Sequence, residues 1–261
     1  MKTPPPANKR NRVALHTAAA VVVLALIPHL ARSAYDVTDG MRIGFAATSN
    51  TLGTNTSVMI GQYNSGIAAK SLAVGTSNII GNSYNPSATG TFAAGANNTA
   101  QGTSSVAFGA SNTATGSQAH AVGYMNSASG TSAIALGENN GAAGLGAVAL
   151  GRWNVAAADS SLSANYHTTA FGNYSTAAGY YTNAYSYASI AGGRYNAPVG
   201  TENNTSDQSA ARTTWRDGDS LFVIGNGTSN TARSNALVVK KDGQVEIMKV
   251  PAKGGIPMYQ Q

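Results

Sequence analysis

The 261-residue chain contains no cysteine, so no disulfide framework is open to it and stability must come from stacking or association. Charged residues make up 10% and aromatic residues 7%. Carboxylates are scarcer still through the middle of the chain. Between Thr91 and Gly200 only Glu138 and Asp159 occur, too few for a metal cluster or an acid/base pair. Beyond the first 33 residues the histidines are His120 and His167, and His120 falls in an apolar row where a buried structural role is expected. No catalytic, cofactor-binding or metal-binding residues are assigned, and the chain is read as a non-enzyme. Long hydrophobic runs are equally scarce. The longest stretch, Val13 to Pro28, is shorter than the ~20 residues a spanning helix needs, and the rest of the chain offers none.

The net charge of +6 resembles a nucleic-acid footprint until it is located. Lys2, Lys9, Arg10, Arg12 and Arg32 supply five of the sixteen basic residues, leaving eleven against ten acidic ones in the remainder. No nucleic-acid partner is therefore expected. A basic, proline-rich start, an apolar centre and the small residues of Ala31-Arg32-Ser33 read as an export signal over residues 1–33, cleaved after Ser33. The chain is expected to be exported, to the cell surface or beyond, with no membrane-spanning segment in its mature part.

What is abundant is glycine, at a fixed period. Gly95, Gly109, Gly123, Gly137, Gly151, Gly179 and Gly193 fall fourteen residues apart, and Asn165 fills the gap. A fixed period means that each repeat is one unit unable to bury its own apolar face, so the units stack into a solenoid. Asn is the best non-glycine occupant of a positive φ, and the column is read as a row of structural turns. Two residues earlier stands a column of small residues, Ala93, Ala107, Ala121, Ala135, Ala149, Ser163, Ala177 and Ala191. Flanking it are large apolar residues such as Val106 and Phe108, Ile134 and Leu136, Val148 and Leu150. This alternation is the period of a short strand. A second turn is expected half a period on, at Ala100-Gln101-Gly102 and its equivalents.

A coil of fourteen residues encloses a thin tube. Alanine inside leaves the large residues outside, forming an apolar stripe that calls for a parallel homo-oligomer. The reverse assignment stays open in the sequence. The expected organisation is irregular coils over 34–90, regular coils over 91–197, a polar connector over 198–220 and a β-hairpin cap and tail over 221–261. Within the first block, Met41-Arg42-Ile43-Gly44, Val58-Met59-Ile60-Gly61 and Leu72-Ala73-Val74-Gly75 follow at spacings of seventeen and fourteen, and a loop from Asn78 to Ala88 stretches the next to twenty. In the last block, Asp242-Gly243 between two β-rich runs signals a hairpin.

Thr103-Ser104-Ser105-Val106-Ala107-Phe108-Gly109 and Thr131-Ser132-Ala133-Ile134-Ala135-Leu136-Gly137 resemble the head repeats of trimeric autotransporter adhesins (YadA-like heads). The resemblance implies an all-β, left-handed parallel β-roll solenoid, a homotrimer, and adhesion to host or matrix molecules. The family's heptad stalk and barrel-forming anchor find no match here, so release or docking on another surface component is expected as readily as self-anchoring. The alternative is a non-adhesive structural part of a fibre or extracellular matrix, like a phage tail-fibre shaft.

The variable positions after the glycine column are Tyr124, Glu138, Arg152, Tyr166, Tyr180 and Arg194, followed by Trp153, His167, Tyr181 and Tyr195. Aromatic residues and arginine anchor protein-binding surfaces, so Tyr124, Arg152, Trp153, Tyr166, Tyr180, Tyr181, Arg194 and Tyr195 form the candidate ligand-contact ridge. The competing reading has these residues packing between subunits, or forming ladders such as Glu138 with Arg152. Gly144-Leu145-Gly146-Ala147-Val148-Ala149 matches a dinucleotide-binding pattern only because its glycines fall in the repeat columns.

Overall fold

The computed structural model describes residues 40–43, 51–52, 57–81, 88–200 and 208–247. The expected export signal and part of the loop after Asn78 lie outside them. Each regular coil has a five-residue strand, a turn, a two-residue strand and a second turn; Val106–Ala110 and Thr113–Ala114 form one such pair. The long strands stack in parallel into one sheet and the short ones into another. Residues fourteen apart pair directly, so Ala107 faces Ala121 and Ala121 faces Ala135. The early coils keep this pairing despite their unequal lengths, with Met41 opposite Val58, Val58 opposite Leu72 and Leu72 opposite Phe92.

The alanine columns are the core. Ala93, Ala107, Ala121, Ala135 and Ala149 from the long strands, and Ala100, Ala114, Ala128, Ala142 and Ala156 from the short ones, are all fully buried. Two sheets approaching this closely leave room for one methyl group per position, and the larger residues turn outward. Phe108 is 51% exposed, Leu136 37% and Ile190 48%. The open choice between the two strand faces is thereby resolved with alanine inside. His120 pairs with Val106 and Ile134 on this outer face and is exposed, which corrects the expectation of a buried histidine.

The glycine column has the positive φ its composition called for, 115° at Gly109 and 119° at Gly123, with Asn165 at 85°. Its place in the coil is different from the one expected. Gly95, Gly109, Gly123, Gly137, Gly151, Asn165, Gly179 and Gly193 are the fourth residues of the long strands, and the turn proper comes two residues later. There Asn97, Ser111, Met125, Asn139, Trp153, His167, Tyr181 and Tyr195 adopt φ between 45° and 58°. Close stacking supplies the second reason for glycine, since a Cβ on Gly123 would lie 2.1 Å from the carbonyl oxygen of Gly137. The other turn also starts later than expected, because Ala100 and Ala114 belong to the short strands.

Beside these turns runs a ladder of buried asparagines. Asn64, Asn78, Asn98, Asn112, Asn126, Asn140 and Asn154 are 2% exposed or less. Each up to Asn140 accepts, through its Oδ1, both the backbone N–H and the side-chain amide of the next asparagine. Asn126 donates to Asn112 Oδ1 through both groups at 3.0 Å, and its amide also donates to the carbonyls of Val122 (2.9 Å) and Gly137 (2.7 Å). Thr168 continues the ladder at the next coil, its hydroxyl 2.7 Å from Asn154 Oδ1. Polar groups buried in so narrow a tube need such partners.

The stack ends in a different arrangement. Asn196 turns its side chain to the edge of the short-strand sheet, where Oδ1 accepts from Asn183 N–H at 2.7 Å and the amide donates to Asn183 C=O at 2.8 Å. One side-chain amide thus stands in for the peptide group of the next short strand. On the other sheet, Ser220–Asn226 adds a further parallel strand to Ile190–Arg194, and Asn235–Lys240 and Val245–Ile247 follow as an antiparallel hairpin. The polar connector holds a short helix, Gln208–Thr213, which the sequence reading did not foresee. Its last turn accepts backbone N–H groups from the coils, Asn173 to Arg212 C=O and Tyr187 to Ala211 C=O, both at 2.8 Å.

Candidate ligand-contact ridge

The ridge is built on two adjacent columns. Tyr124, Glu138, Arg152, Tyr166, Tyr180 and Arg194 are the last residues of successive long strands and pair in that order. Trp153, His167, Tyr181 and Tyr195 follow at the left-handed turn. A bulky residue at such a φ carries strain, and hydrogen bonds between coils hold it there. Trp153 N–H donates to Glu138 C=O, His167 to Arg152, Tyr181 to Tyr166 and Tyr195 to Tyr180, all at 2.9–3.1 Å. These bonds use backbone atoms alone. Serine, methionine, asparagine, tryptophan, histidine and tyrosine all serve at the corner, and the side chain there is left to vary.

Neighbouring coils bring the rings into contact. Tyr166 stacks on Tyr180 (centroids 5.3 Å, interplanar angle 9°), His167 on Tyr181 (4.3 Å, 9°) and Tyr181 on Tyr195 (4.9 Å, 17°). Trp153 meets the edges of Tyr166 and His167 at 5.3 and 5.1 Å. Offset stacks and edge contacts are the arrangements that ring quadrupoles favour. Cations close both ends. The Arg152 guanidinium lies 4.0 Å from the Trp153 ring and that of Arg233 5.9 Å from Tyr195, within cation–π range. Arg233 is held by the carbonyls of Tyr181 and Asn196. The predicted residues Arg152, Trp153, Tyr166, Tyr180, Tyr181 and Tyr195 thus form one contiguous group, with His167 completing it. Arg194 is exposed beside it, opposite Tyr180 and Asn226. Tyr124, half exposed, stands two coils from Arg152 with Glu138 between them.

Glu138 and Arg152 form an ion pair at 3.1 Å, the ladder contact weighed in the sequence. Both are exposed, so the pair is worth at most ~1 kcal/mol and mainly cancels the carboxylate's charge. Partial burial, reinforced by the Tyr166 phenol beside it, raises the Tyr181 hydroxyl above the ordinary tyrosine value. Burial and a hydrogen bond to Tyr180 do the same for Tyr195. Both are neutral phenols at physiological pH.

Sequence reasoning did not find Arg233 or a second aromatic group at the same end of the solenoid. There Phe171 stacks on Tyr185 at 5.6 Å beneath the Arg212 guanidinium, and Tyr174 meets Tyr187. Lys241 lies 5.1 Å from the Trp215 ring. The rings at 171 and 185 show the fourteen-residue spacing, but their cationic partner, Arg212, comes from the helix of the connector. Among the described residues, no group of three histidine, cysteine or carboxylate side chains is placed to hold a metal ion, and no helix is long and apolar enough to cross a membrane.

Comparison with known proteins places a family on part of this architecture. Residues 87–112 and 114–140 match the YadA head domain repeat, in two copies. No curated protein matches the chain.

Proposed function

We propose, from the YadA-type head repeats at residues 87–140, that this is an exported adhesin-like surface protein that works as a homotrimer. Its solenoid is the head, and the ridge from Arg152 to Tyr195 meets host, matrix or neighbouring-cell macromolecules. The observation that carries the reading is the ridge itself: a run of stacked, half-exposed rings and arginines at strand ends and corners, where the hydrogen bonds between coils use backbone atoms alone. The core needs only alanine, so large aromatic residues at these outer positions answer to something outside the coil. The outward apolar rows at Val106, Phe108, Ile134 and Leu136 support association of copies along the rod.

Serine in place of Tyr166, Tyr180 and Tyr181 removes three rings and leaves the coil's hydrogen bonds intact. The triple variant is expected to keep its circular dichroism and oligomeric state while losing at least ~10-fold in binding to matrix-coated surfaces, about 1.4 kcal/mol. Undiminished binding by the folded variant would leave the fibre or matrix-component reading in its place.

A further inference from the structure

The chemistry of the ridge narrows the class of its ligand. Aromatic surfaces that read sugars or bases by stacking offer open ring faces. Here the faces are taken up by neighbouring rings, and at the ends Arg152 and Arg233 lie over them. With the faces stacked, the ring edges, the positive part of the quadrupole, are what remains for a ligand to meet. Charge follows the same polarity. Arg152 and Arg194 are both of the arginines between residues 91 and 200, a span without lysine, and both stand in the ridge column. With Arg233 they set three guanidiniums against one carboxylate, Glu138, which Arg152 already neutralises. The surface therefore presents guanidinium donors and positive potential.

We infer that the ridge binds an acidic polysaccharide, a sugar chain carrying carboxylate or sulfate groups. This rests on the ridge being the contact surface of the head. Register places Arg152 and Arg194 three coils apart, which at ~4.8 Å per coil is about 14 Å. An extended chain lying along the rod touches both with the phenols between them. A sugar chain suits this surface better than a peptide does. Backbone N–H groups at the corners are committed to carbonyls of the preceding coil, so the ridge has no sheet edge on which an extended peptide can form main-chain bonds. A polysaccharide carries its hydroxyls and acidic groups on its outside, where side chains alone can meet them. Guanidinium is the cation whose planar fork matches carboxylate and sulfate oxygens. The Tyr181 and Tyr195 hydroxyls, raised and donated to neighbouring phenols, stay neutral throughout the physiological range and set no negative charge against an acidic chain.

The test uses the purified full-length oligomer against immobilised heparin (sulfated and carboxylated), polygalacturonate (carboxylated only) and neutral dextran, with a matrix-protein coat alongside. Binding to heparin or polygalacturonate but not to dextran is expected, with the preferred polyanion identifying the acidic group. It should weaken steeply from ~0.1 M to ~1 M salt, as the screening length falls from about 10 Å to about 3 Å. R194Q, at an exposed side chain, and the double variant R152Q/R194Q should lose about 10-fold and 100-fold with unchanged circular dichroism and melting. Binding to neither polyanion, or polyanion binding that survives the double substitution, overturns the inference. If the protein coat is then still bound, and that binding is lost in the tyrosine variant, the contact role of the ridge stands while its ligand is not an acidic glycan. If no coat is bound at all, both readings fall.

Discussion

A tyrosine whose ring lies between two others titrates differently from one in water. Tyr181 sits between His167 and Tyr195, and desolvation, with the Tyr166 and Tyr180 phenols nearby, raises its pKa above 10.0. The unfolded chain ionises near the ordinary value, so the folded state binds the proton more firmly. The stabilisation is fully present below pH ~10 and is lost as pH rises through the folded value. Alkaline titration followed by tyrosinate absorbance should show a late component among the twelve tyrosines, and Y181F should diminish it. A single transition at the ordinary pKa would contradict the stacked geometry. The same residues show how far sequence reaches at this scale. The spacing of fourteen put Tyr166, Tyr180 and Tyr181 on one edge, because register alone decides that. It did not say which faces stack or that Arg233 closes the end, since those depend on rotamers and on a chain segment some forty residues away.

Between one coil and the next, the asparagine ladder is the feature that composition disguised. Asparagine close to a turn reads as ordinary turn chemistry, and nothing in the pattern of Asn98, Asn112, Asn126 and Asn140 announces that they are buried. The alanine columns were legible for the opposite reason, since small residues alternating with large ones have few places to go. The helix Gln208–Thr213 escaped notice because six residues are too few to show a period. Replacing Asn126 with alanine strips a donor from the carbonyls of Val122 and Gly137 and the acceptor from Asn140 N–H and its amide. Leaving these buried groups unpaired should cost about 2–3 kcal/mol, read as a lower denaturation midpoint. N126T should cost less, because Thr168 and Thr182 already stand in the same column, Thr168 with its hydroxyl on Asn154. Equal losses for the two would assign the cost to packing rather than to the ladder.

Taken whole, the rod carries exposed apolar residues along its long-strand face, at Ile60, Phe108, Leu136 and Ile190. A soluble monomer seldom leaves such a stripe open. Sedimentation of the mature protein at micromolar concentration is expected to give three times the monomer mass. F108S/L136S should shift the boundary towards the monomer without unfolding coils whose core is alanine. A wild-type monomer would refute the association. The alternation along the strands and the coil spacing were readable because each rests on a column repeated many times; which face turns inward stayed open, and the outward position of His120 was missed, because a column does not reveal which side of the sheet it faces.

The amide of Asn196, set against the edge of the last short strand, makes the end of the solenoid independent of its middle. No coil between Thr91 and Asn196 has to know how many others there are. Duplicating or deleting a fourteen-residue unit ahead of the ridge moves the terminus and its closing amide by one step of ~4.8 Å and leaves the contacts of the ridge and the connector helix as they were. The head therefore behaves as a ruler, in which reach is a digital quantity and the lettering at each division, carried by the corner side chains, is written separately from the length.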